Sequence, residues 1–357
     1  MFIYYGKWRG LILKVRHFLD FYGSSCYLYS FKNQKSASRL CASQQFVRGY
    51  NMQVSIIIVN YNTKKLLRDC LESIFRHTKD IAFEVIISDN GSTDGSVKMI
   101  ASEFPQVILI ENNANLGFGA ANNRGLEIAT GEFIFYLNSD TILLNNAVKI
   151  FYDYWKNAPN KNEIGVLGAM LQNNEAVTIH SFGQIKSLDK ELGERFHCLL
   201  GITKDTLKYF FTRKFESLPP CNNIQNPYFG EVPYVTGADL FMKNDSFAKF
   251  DERYFMYKEE VDMQLQLHKA GKKSFIIEGP RIVHLGGASS ERQKQKVLYL
   301  SSFSDIQLLI SSIHFYKKNF PKCHIRLLLL KLFTILIWLN PLIFRSTKNR
   351  IKDMLFI

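Results

Sequence analysis

The chain has 357 residues and a net charge of +13, from 45 Lys and Arg against 32 Asp and Glu. Its hydrophobic content of 46% is too high for a disordered chain, and its length allows one large or two moderate domains. The six cysteines show neither a CxxC motif nor a metal-ligand spacing. They predict reduced thiols rather than a disulfide framework.

The positive charge is concentrated at the two ends of the chain. Residues 1–52 hold eight Lys and Arg and one acidic residue, and residues 292–357 hold twelve Lys and Arg and two acidic residues. The middle section, residues 53–291, holds 25 Lys and Arg and 29 acidic residues. A domain that grips nucleic acid should itself be basic, so we predict no nucleic-acid partner. Because both basic ends are also apolar, they favour an anionic membrane surface.

The N-terminal extension, residues 1–52, allows two interpretations. Apolar residues recur at helical spacing between Trp8 and Tyr22, which is typical of an amphipathic helix lying in a membrane interface. The alternative is a poorly ordered extension, with Met52 as a second possible start. The segment lacks the apolar region and cleavage site of a secretory signal.

The C-terminal region, residues 292–357, is also basic and apolar. Eighteen residues separate Arg326 from Arg345, and Lys331 and Pro341 interrupt them. A transmembrane helix needs about 20 apolar residues. We therefore expect a helix that lies in or dips into the cytoplasmic face of the membrane, making the protein peripheral or monotopic. A buried amphipathic helix that caps the domain is the alternative.

Apolar strands and amphipathic helices alternate through the first part of the middle section. This pattern predicts a doubly wound, Rossmann-like α/β domain with a mostly parallel sheet, whose ligands bind beyond the carboxyl ends of the strands. The predicted elements are strand Val54–Tyr61, helix Lys64–His77, strand Phe83–Ser88, helix Ser96–Phe104, strand Val107–Glu111, helix Ala120–Ala129 and strand Phe133–Leu137.

A polar cluster follows each of the four strands. Any one cluster is typical of an ordinary turn, but four at one sheet edge predict a nucleotide-sized site. No phosphate-binding loop of the GxxxxGK[ST] type is present, so a divalent cation held by Asp140 would have to bridge a diphosphate. The candidate nucleotide-binding residues in these clusters are Tyr61, Asn62, Asp89, Asn90, Asn115, Gly117, Asn122, Ser139 and Asp140.

The second half of the section supplies acids and a histidine. Glu259, Glu260 and Asp262 begin a predicted helix, where plain helix capping is the alternative role. His284 follows a buried strand and is a candidate second metal ligand, although a single histidine is more often structural. Tyr234–Met242 predicts a strand with a Gly-Ala kink.

Seven motifs in order carry a family resemblance: VSIIIVNYN, SDNGSTDGS, NLGFGAANN, LNSD, VTGA, FMYKEEVD and VHLGG. From Gln53 to Pro321 the chain resembles glycosyltransferase family 2, particularly its bacterial rhamnosyltransferase-like members. The resemblance implies a GT-A fold over residues 53–291, with a nucleotide-binding half at 53–141 and an acceptor and catalytic half at 142–291. It also implies inverting transfer from a nucleotide-diphospho-sugar with Mg or Mn as cofactor.

The resemblance also assigns roles to individual residues. Tyr61 would stack on a pyrimidine, Asp89 would accept from its N3–H, and Asn122 would help line the donor site. Asp140 is the last position of a DxD-type motif, and His284 matches a histidine that joins the metal or the diphosphate. The remaining expected roles are acceptor binding by Gly237, Ala238 and Asp239, and base catalysis by Glu260, with Glu259 and Asp262 as alternatives.

Two departures from the family pattern concern the chemistry. Asn138-Ser139-Asp140 carries one carboxylate where the DxD-type motif has two, and the base position holds Glu instead of Asp. The QxxRW motif of processive members is missing from the sequence, which favours addition of a single sugar. Residues 176–233 are the least patterned part and are expected to form a mobile, acceptor-specific loop.

These features predict a metal-dependent, membrane-associated glycosyltransferase. It would move rhamnose or a related hexose from a TDP- or UDP-sugar to a saccharide or lipid-linked acceptor in cell-surface polysaccharide biosynthesis. A catalytically impaired nucleotide-sugar-binding scaffold subunit is the alternative. A sugar nucleotidyltransferase would need a Gly-rich loop with Arg or Lys after the first strand, which residues 60–63 do not provide.

Overall fold

The computed structural model describes residues 52–212, 225–286 and 303–340. Apart from Met52, the predicted N-terminal extension lies outside these residues. Residues 341–357 of the C-terminal region lie outside them as well.

An eight-stranded sheet forms the centre of the domain, with two two-stranded sheets, β12-β5 and β7-β9, beside it. The strands are β1 (Val54–Asn60), β2 (Phe83–Asp89), β3 (Ile108–Glu111), β4 (Phe133–Leu137), β5 (Thr141–Leu143), β6 (Ile164–Ala169), β7 (Phe182–Gly183), β8 (Gly230–Val232), β9 (Tyr234–Val235), β10 (Asp239–Lys243), β11 (Lys273–Ile277) and β12 (Ile282–His284). The order in the large sheet is β3-β2-β1-β4-β10-β6-β11-β8. Four of its seven pairings are parallel.

Strands β1 to β4 form the parallel half predicted from the sequence. In β1, Ile56 and Ile58 enter one hydrophobic core and Ile57 enters the core on the opposite face. A strand buried on both faces needs a continuous apolar run, which is the pattern of β1, β2 and β4. The predicted α/β class with a mostly parallel central sheet is confirmed.

Strand β10 changes the direction of the sheet. It runs antiparallel to both β4 and β6, so the residues before β10 meet the residues after β4 at one edge. The backbone N–H of Asn138 donates to the carbonyl oxygen of Ala238 at 3.0 Å. The expected strand Tyr234–Met242 is therefore two strands, β9 and β10, separated by residues 236–238.

Helices cover both faces of the sheet. Those in the described residues are α1 (Lys64–His77), α2 (Ser96–Glu103), α3 (Phe118–Leu126), α4 (Ala147–Asn157), α5 (Leu188–Thr212), α6 (Glu259–Lys269), α7 (Phe303–Asn319) and α8 (His324–Trp338). In α1 the buried residues Leu67, Cys70, Leu71 and Ile74 recur at helical spacing. Helix α1 has the predicted bounds, whereas α3 begins two residues earlier than predicted, directly after Gly117.

A third hydrophobic cluster joins the C-terminal helices to the domain. It contains Leu188 of α5, Val261 of α6, Ile313 of α7 and Ile337 of α8. Helix α5 lies within residues 176–233, where we expected a mobile loop, and residues 213–224 of that stretch lie outside the description. None of the described helices is long and apolar enough to cross a membrane.

Helix α7 is anchored beside the start of α6 by buried charges. The ammonium group of Lys318 contacts the carboxylates of Asp251 at 2.8 Å and Asp262 at 2.5 Å. The amide nitrogen of Asn319 donates to the other oxygen of Asp262 at 2.7 Å. Both carboxylate oxygens of Asp262 thus contact α7.

Candidate active site

The loops after β1 and β2 are tied together by the carboxylate of Asp89. One of its oxygens accepts from Asn60 Nδ2 at 2.6 Å, and the other accepts from the backbone N–H groups of Gly91 and Ser92. The side chain is 1% exposed. Its first role is therefore to shape the loop, and further hydrogen bonds would use the remaining lone pairs of the same oxygens.

The ring of Tyr61 stands at the mouth of this loop and is 44% exposed, as a platform for a planar ligand requires. Asn62 adopts a positive φ of 54°, and its amide oxygen accepts from the backbone N–H of Thr93 at 2.8 Å. Asn62 thus fixes the approach of the two loops. Asn60, which the sequence analysis did not assign to the site, bonds Asp89, Ser92 and Thr63 in the same network.

Asn90 links the second loop to the third. Its amide nitrogen donates to the carbonyl oxygen of Gly117 at 3.1 Å and lies 3.3 Å from the amide oxygen of Asn115. Asn115 in turn accepts from the backbone N–H of Gly117 at 3.0 Å. Asn122 is buried in α3 and donates to the carbonyl oxygen of Phe118, so this hydrogen bond stays within the helix.

The third loop also contacts the segment that precedes α6. Gly117 has a φ of +88°, and a side chain there would overlap the carbonyl oxygen of Phe255. The same oxygen accepts from the backbone N–H of Phe118 at 2.9 Å. Asn123 adds a second link, because its amide group both donates to and accepts from the backbone of Phe250.

Asp140 and His284 meet because β5 pairs antiparallel with β12. The pairing places His284 opposite Thr141, and the backbone N–H of Leu285 donates to the carbonyl oxygen of Asp140 at 2.9 Å. A carboxylate oxygen of Asp140 lies 3.2 Å from Nε2 of His284. Beside them, Ser139 Oγ accepts from Thr63 Oγ1 at 3.0 Å.

This pair has the chemistry of a partial cation site. Carboxylate oxygen is a ligand of both Mg and Mn, and imidazole nitrogen is a ligand of first-row transition metals. Two donors that bind one cation at right angles, about 2.1 Å from it, are separated by about 3.0 Å, close to the observed spacing. A lone-pair nitrogen and a carboxylate oxygen at this distance need a proton or a cation between them. The residues present fit a cation that takes its other ligands from a bound diphosphate.

No cluster of three or more His, Cys, Asp or Glu side chains suited to a metal occurs in the part of the chain that the structure describes. Two protein ligands alone bind a hard cation weakly. The metal site is therefore incomplete without further ligands.

Glu260 lies beside Gly237, which precedes β10. A Cβ built on Gly237 would stand 3.8 Å from the side chain of Glu260 and 3.8 Å from the ring of Phe118. Glu260 is partly exposed, and burial raises the pKa of its carboxyl while the positive charge of Lys258 opposes the rise. A partly desolvated carboxylate beside an open glycine can approach a hydroxyl group.

Glu259 differs from its neighbour. Its side chain is 4% exposed, and one carboxylate oxygen has no hydrogen-bond partner among the described residues. Burial and the nearby charge of Glu260 raise its pKa well above the usual range for glutamate. The charged form of Glu259 is therefore disfavoured more strongly than that of Glu260.

The backbone before the two glutamates adopts an unfavourable conformation. Tyr257 and Lys258 have successive positive φ values of 70° and 71°. Left-handed conformations of non-glycine residues cost about 1 kcal/mol or more each and concentrate at functional sites. The turn sets Lys258 between Glu260 and α7, where its ammonium lies 5.7 Å from the ring centre of Phe315.

Asp239 does not lie in an open acceptor pocket. It is completely buried, and one oxygen accepts from the backbone N–H of Ala169 at 2.6 Å. Burial raises the pKa of its carboxyl well above the usual range. Ala238 is also buried, which leaves Gly237 as the partly exposed member of the expected trio.

Comparison with known proteins matches residues 55–218 to the family model described as glycosyl transferase family 2. Residues 55–218 therefore form a glycosyl transferase family 2 domain. The match begins in β1 and includes the loops after β1, β2, β3 and β4, whereas Gly237, Glu260 and His284 lie beyond it. Together with the relatives below, it identifies the chain as a glycosyltransferase.

Two curated relatives extend the similarity beyond that region. The N-acetylglucosaminyl-diphospho-decaprenol L-rhamnosyltransferase of Mycobacterium tuberculosis is 27% identical over 251 residues, which cover 66% of this chain and 77% of the relative. The uncharacterized glycosyltransferase YfnE of Bacillus subtilis is 35% identical over 251 residues, which cover 62% of this chain and 61% of the relative.

Solved structures are more distant. The crystal structure of S. aureus TarS has a TM-score of 0.45 and 14% identity, covering 81% of this chain and 44% of that chain. A similarity at this level identifies neither substrate nor mechanism.

We predict that Gly117→Ala will destabilise the protein by about 2 kcal/mol, because alanine there needs an unfavourable φ and overlaps the Phe255 carbonyl. Urea unfolding of the purified protein measures the effect. Gly193→Ala is the matched control, since nothing lies within 4 Å of a Cβ at this position in α5. It should be neutral or stabilising by up to about 1 kcal/mol. Equal unfolding midpoints for the two variants would contradict the assigned role of Gly117.

Proposed function

We propose that this glycosyltransferase adds one rhamnose or related hexose to a saccharide acceptor, using a pyrimidine nucleotide-diphospho-sugar as donor and inverting the anomeric centre. The observation that carries the proposal is the convergence of Asp140, His284 and Glu260 on the sheet edge where β4 ends and β10 begins. A pair that can hold a cation for the leaving diphosphate on one side and a general base on the other are the groups that a displacement at the anomeric carbon needs.

Glu260 is the proposed base. Its carboxylate accepts the proton of the acceptor hydroxyl as that oxygen bonds to the anomeric carbon and the bond from this carbon to the diphosphate breaks. The raised pKa of Glu260 brings it nearer to that of the group it deprotonates. Attack from the side opposite the leaving group inverts the centre in one step.

Tyr61 and the loop held by Asp89 are proposed to receive the nucleotide base, with the exposed phenol ring as the stacking surface. Asp140 and His284 are proposed to hold a divalent cation, Mg or Mn. When bound, the cation would neutralise the charge that develops on the departing diphosphate. Ser139 and Asn138 flank this pair and orient the same turn.

The acceptor is proposed to be lipid-linked and presented at the cytoplasmic face of the membrane. The mycobacterial relative, named as acting on N-acetylglucosaminyl-diphospho-decaprenol, supports this class of acceptor. The same name supports rhamnose as the transferred sugar. The missing QxxRW motif in the sequence supports a single addition rather than processive synthesis.

We expect Glu260→Gln to lower sugar transfer by about 10²-fold to 10⁴-fold and to leave donor binding unchanged, because the amide cannot accept the proton. Transfer from radiolabelled sugar nucleotides and calorimetric donor titration measure the two effects. Glu259→Gln is the matched control and should retain transfer, since Glu259 is buried and less able than Glu260 to reach an acceptor hydroxyl. If Glu259→Gln loses activity and Glu260→Gln does not, Glu259 is the base. Donor binding by the wild type with no turnover would favour the scaffold function.

Asp140→Ala should weaken Mn-dependent donor binding at least about tenfold, because it removes the only carboxylate of the proposed cation site. The measurement is calorimetric titration of UDP- and TDP-sugars with Mn present and with EDTA present. Asp153→Ala, which removes a surface partner of Lys149, should behave as wild type. Wild-type binding that is equally tight in EDTA would reject the cation.

Activity should fall on the acid side at a pH above the ordinary pKa of glutamate, since Glu260 must be ionised and burial raises its pKa. The groups that interact with its charge are Glu259, Lys258 and Tyr234. Lys258→Met removes the positive charge that lowers this pKa, so the acid limb of kcat/KM should move to higher pH. A limb that stays in place or moves to lower pH would contradict the assignment of Glu260.

A further inference from the structure

Helix α8 has apolar residues on both of its faces. Leu330, Thr334, Ile337 and Trp338 are buried against the domain. On the opposite face, the large hydrophobic side chains are 41% to 77% exposed. They are Ile325, Leu328, Leu332, Leu336 and Leu339.

The exposed residues form one continuous line, called here the apolar stripe. Their successive separations of three and four positions place them on a single face of the helix. Helix α5 packs beside α8 and widens the surface with Phe196 and Leu200, which are also exposed. The ring of Phe196 lies 5.4 Å from the ring of Phe333 of α8. An exposed apolar patch of this kind marks an interaction site.

The charge around the stripe identifies its partner. Residues 306–340 contain five Lys and Arg and no Asp or Glu. Lys322 lies just before α8, Arg326 lies in its first turn and pairs with Asp189 of α5 at 3.2 Å, and Lys331 lies in its middle, partly buried. An excess of cations beside an apolar face matches the anionic headgroups and acyl chains of a bilayer surface. A second copy seated face to face would bring two such basic surfaces together, which disfavours self-association.

The size of the helix fixes how it would lie. Helix α8 has 15 residues, which give about 22 Å, and a bilayer core is about 30 Å thick. Its inner face is fixed to the domain by the third hydrophobic cluster. The helix therefore lies flat with the stripe toward the lipid.

We propose that the apolar stripe, with Phe196 and Leu200 beside it, is a docking surface for an anionic membrane. Tyr254 and Val261, which flank the segment carrying Glu259 and Glu260, belong to the same buried cluster as the inner face of α8. The docked helix is thus joined through a packed core to the proposed base. The benefit of membrane docking, delivery of a lipid-linked acceptor, rests on the proposed function. Membrane binding itself does not, because vesicles can bind the protein without catalysis.

The test is flotation of the purified full-length protein with vesicles of phosphatidylcholine, alone or mixed with phosphatidylglycerol. The wild type should float with the mixed vesicles, and Leu328→Glu with Leu332→Glu should bind them at least about tenfold less tightly. Ile128→Glu with Leu144→Glu is the matched control. This control adds the same two negative charges at exposed aliphatic residues outside the apolar stripe. It should bind the mixed vesicles as tightly as wild type.

Three results would overturn the proposal: a wild type that does not float, a stripe variant that floats as well as wild type, or a control that loses binding equally. A wild-type dimer by light scattering that the stripe variant converts to monomer would make the surface an interface between copies instead. If the variant with Leu328→Glu and Leu332→Glu does not fold, the variant with Leu328→Ser and Leu332→Ser replaces it. The serine variant adds no charge and should also bind the mixed vesicles less tightly than wild type. Donor titration of each variant separates this result from failure of the proposed chemistry, because the stripe residues lie outside the donor site.

Discussion

The antiparallel pairing of β10 with β4 is the constraint on which the active site depends. The parallel strands β1 to β4 send their loops to one edge, but this half contains no base. Because β10 runs the opposite way, the residues that precede it arrive at the same edge, where Ala238 bonds Asn138. Gly237 then lies against Glu260, and the turn ending at Asp140 lies beside β12 and His284. One change of strand direction therefore brings the residues proposed for donor and acceptor binding to one edge of the sheet.

The two sides are held together by backbone contacts more than by charged groups. Gly117 lets the third loop approach the Phe255 carbonyl, and Asn123 bonds the backbone at Phe250. Lys318 fastens the same segment to α7 through Asp251 and Asp262. These contacts leave Glu260 partly exposed while Glu259 is buried, and burial determines which of the two carboxyls can act as a base.

Much of this arrangement could be predicted from the sequence because its signals are local. Strand β1 and helix α1 each carry a complete apolar pattern, and the polar clusters follow their strands directly. Helix α5 contains two glycines, which are unfavourable in helices, and it packs against α8, which is more than 100 positions away. For these reasons the local sequence did not predict helix α5. The same limit applies to Asp262, whose partner Lys318 is 56 positions away. The burial of Asp239 depends on β6, which no local motif identifies.

The most direct test of the central claim is a crystal structure with UDP or TDP and Mn²⁺, using anomalous diffraction to locate the metal. The account predicts one manganese peak bound by Asp140 and His284, with the diphosphate on it, the base over Tyr61 and Glu260 facing the open side of the site. A nucleotide bound at this edge with manganese on other residues would contradict the cation site. A nucleotide bound away from the ends of β1 to β4 would contradict the account as a whole.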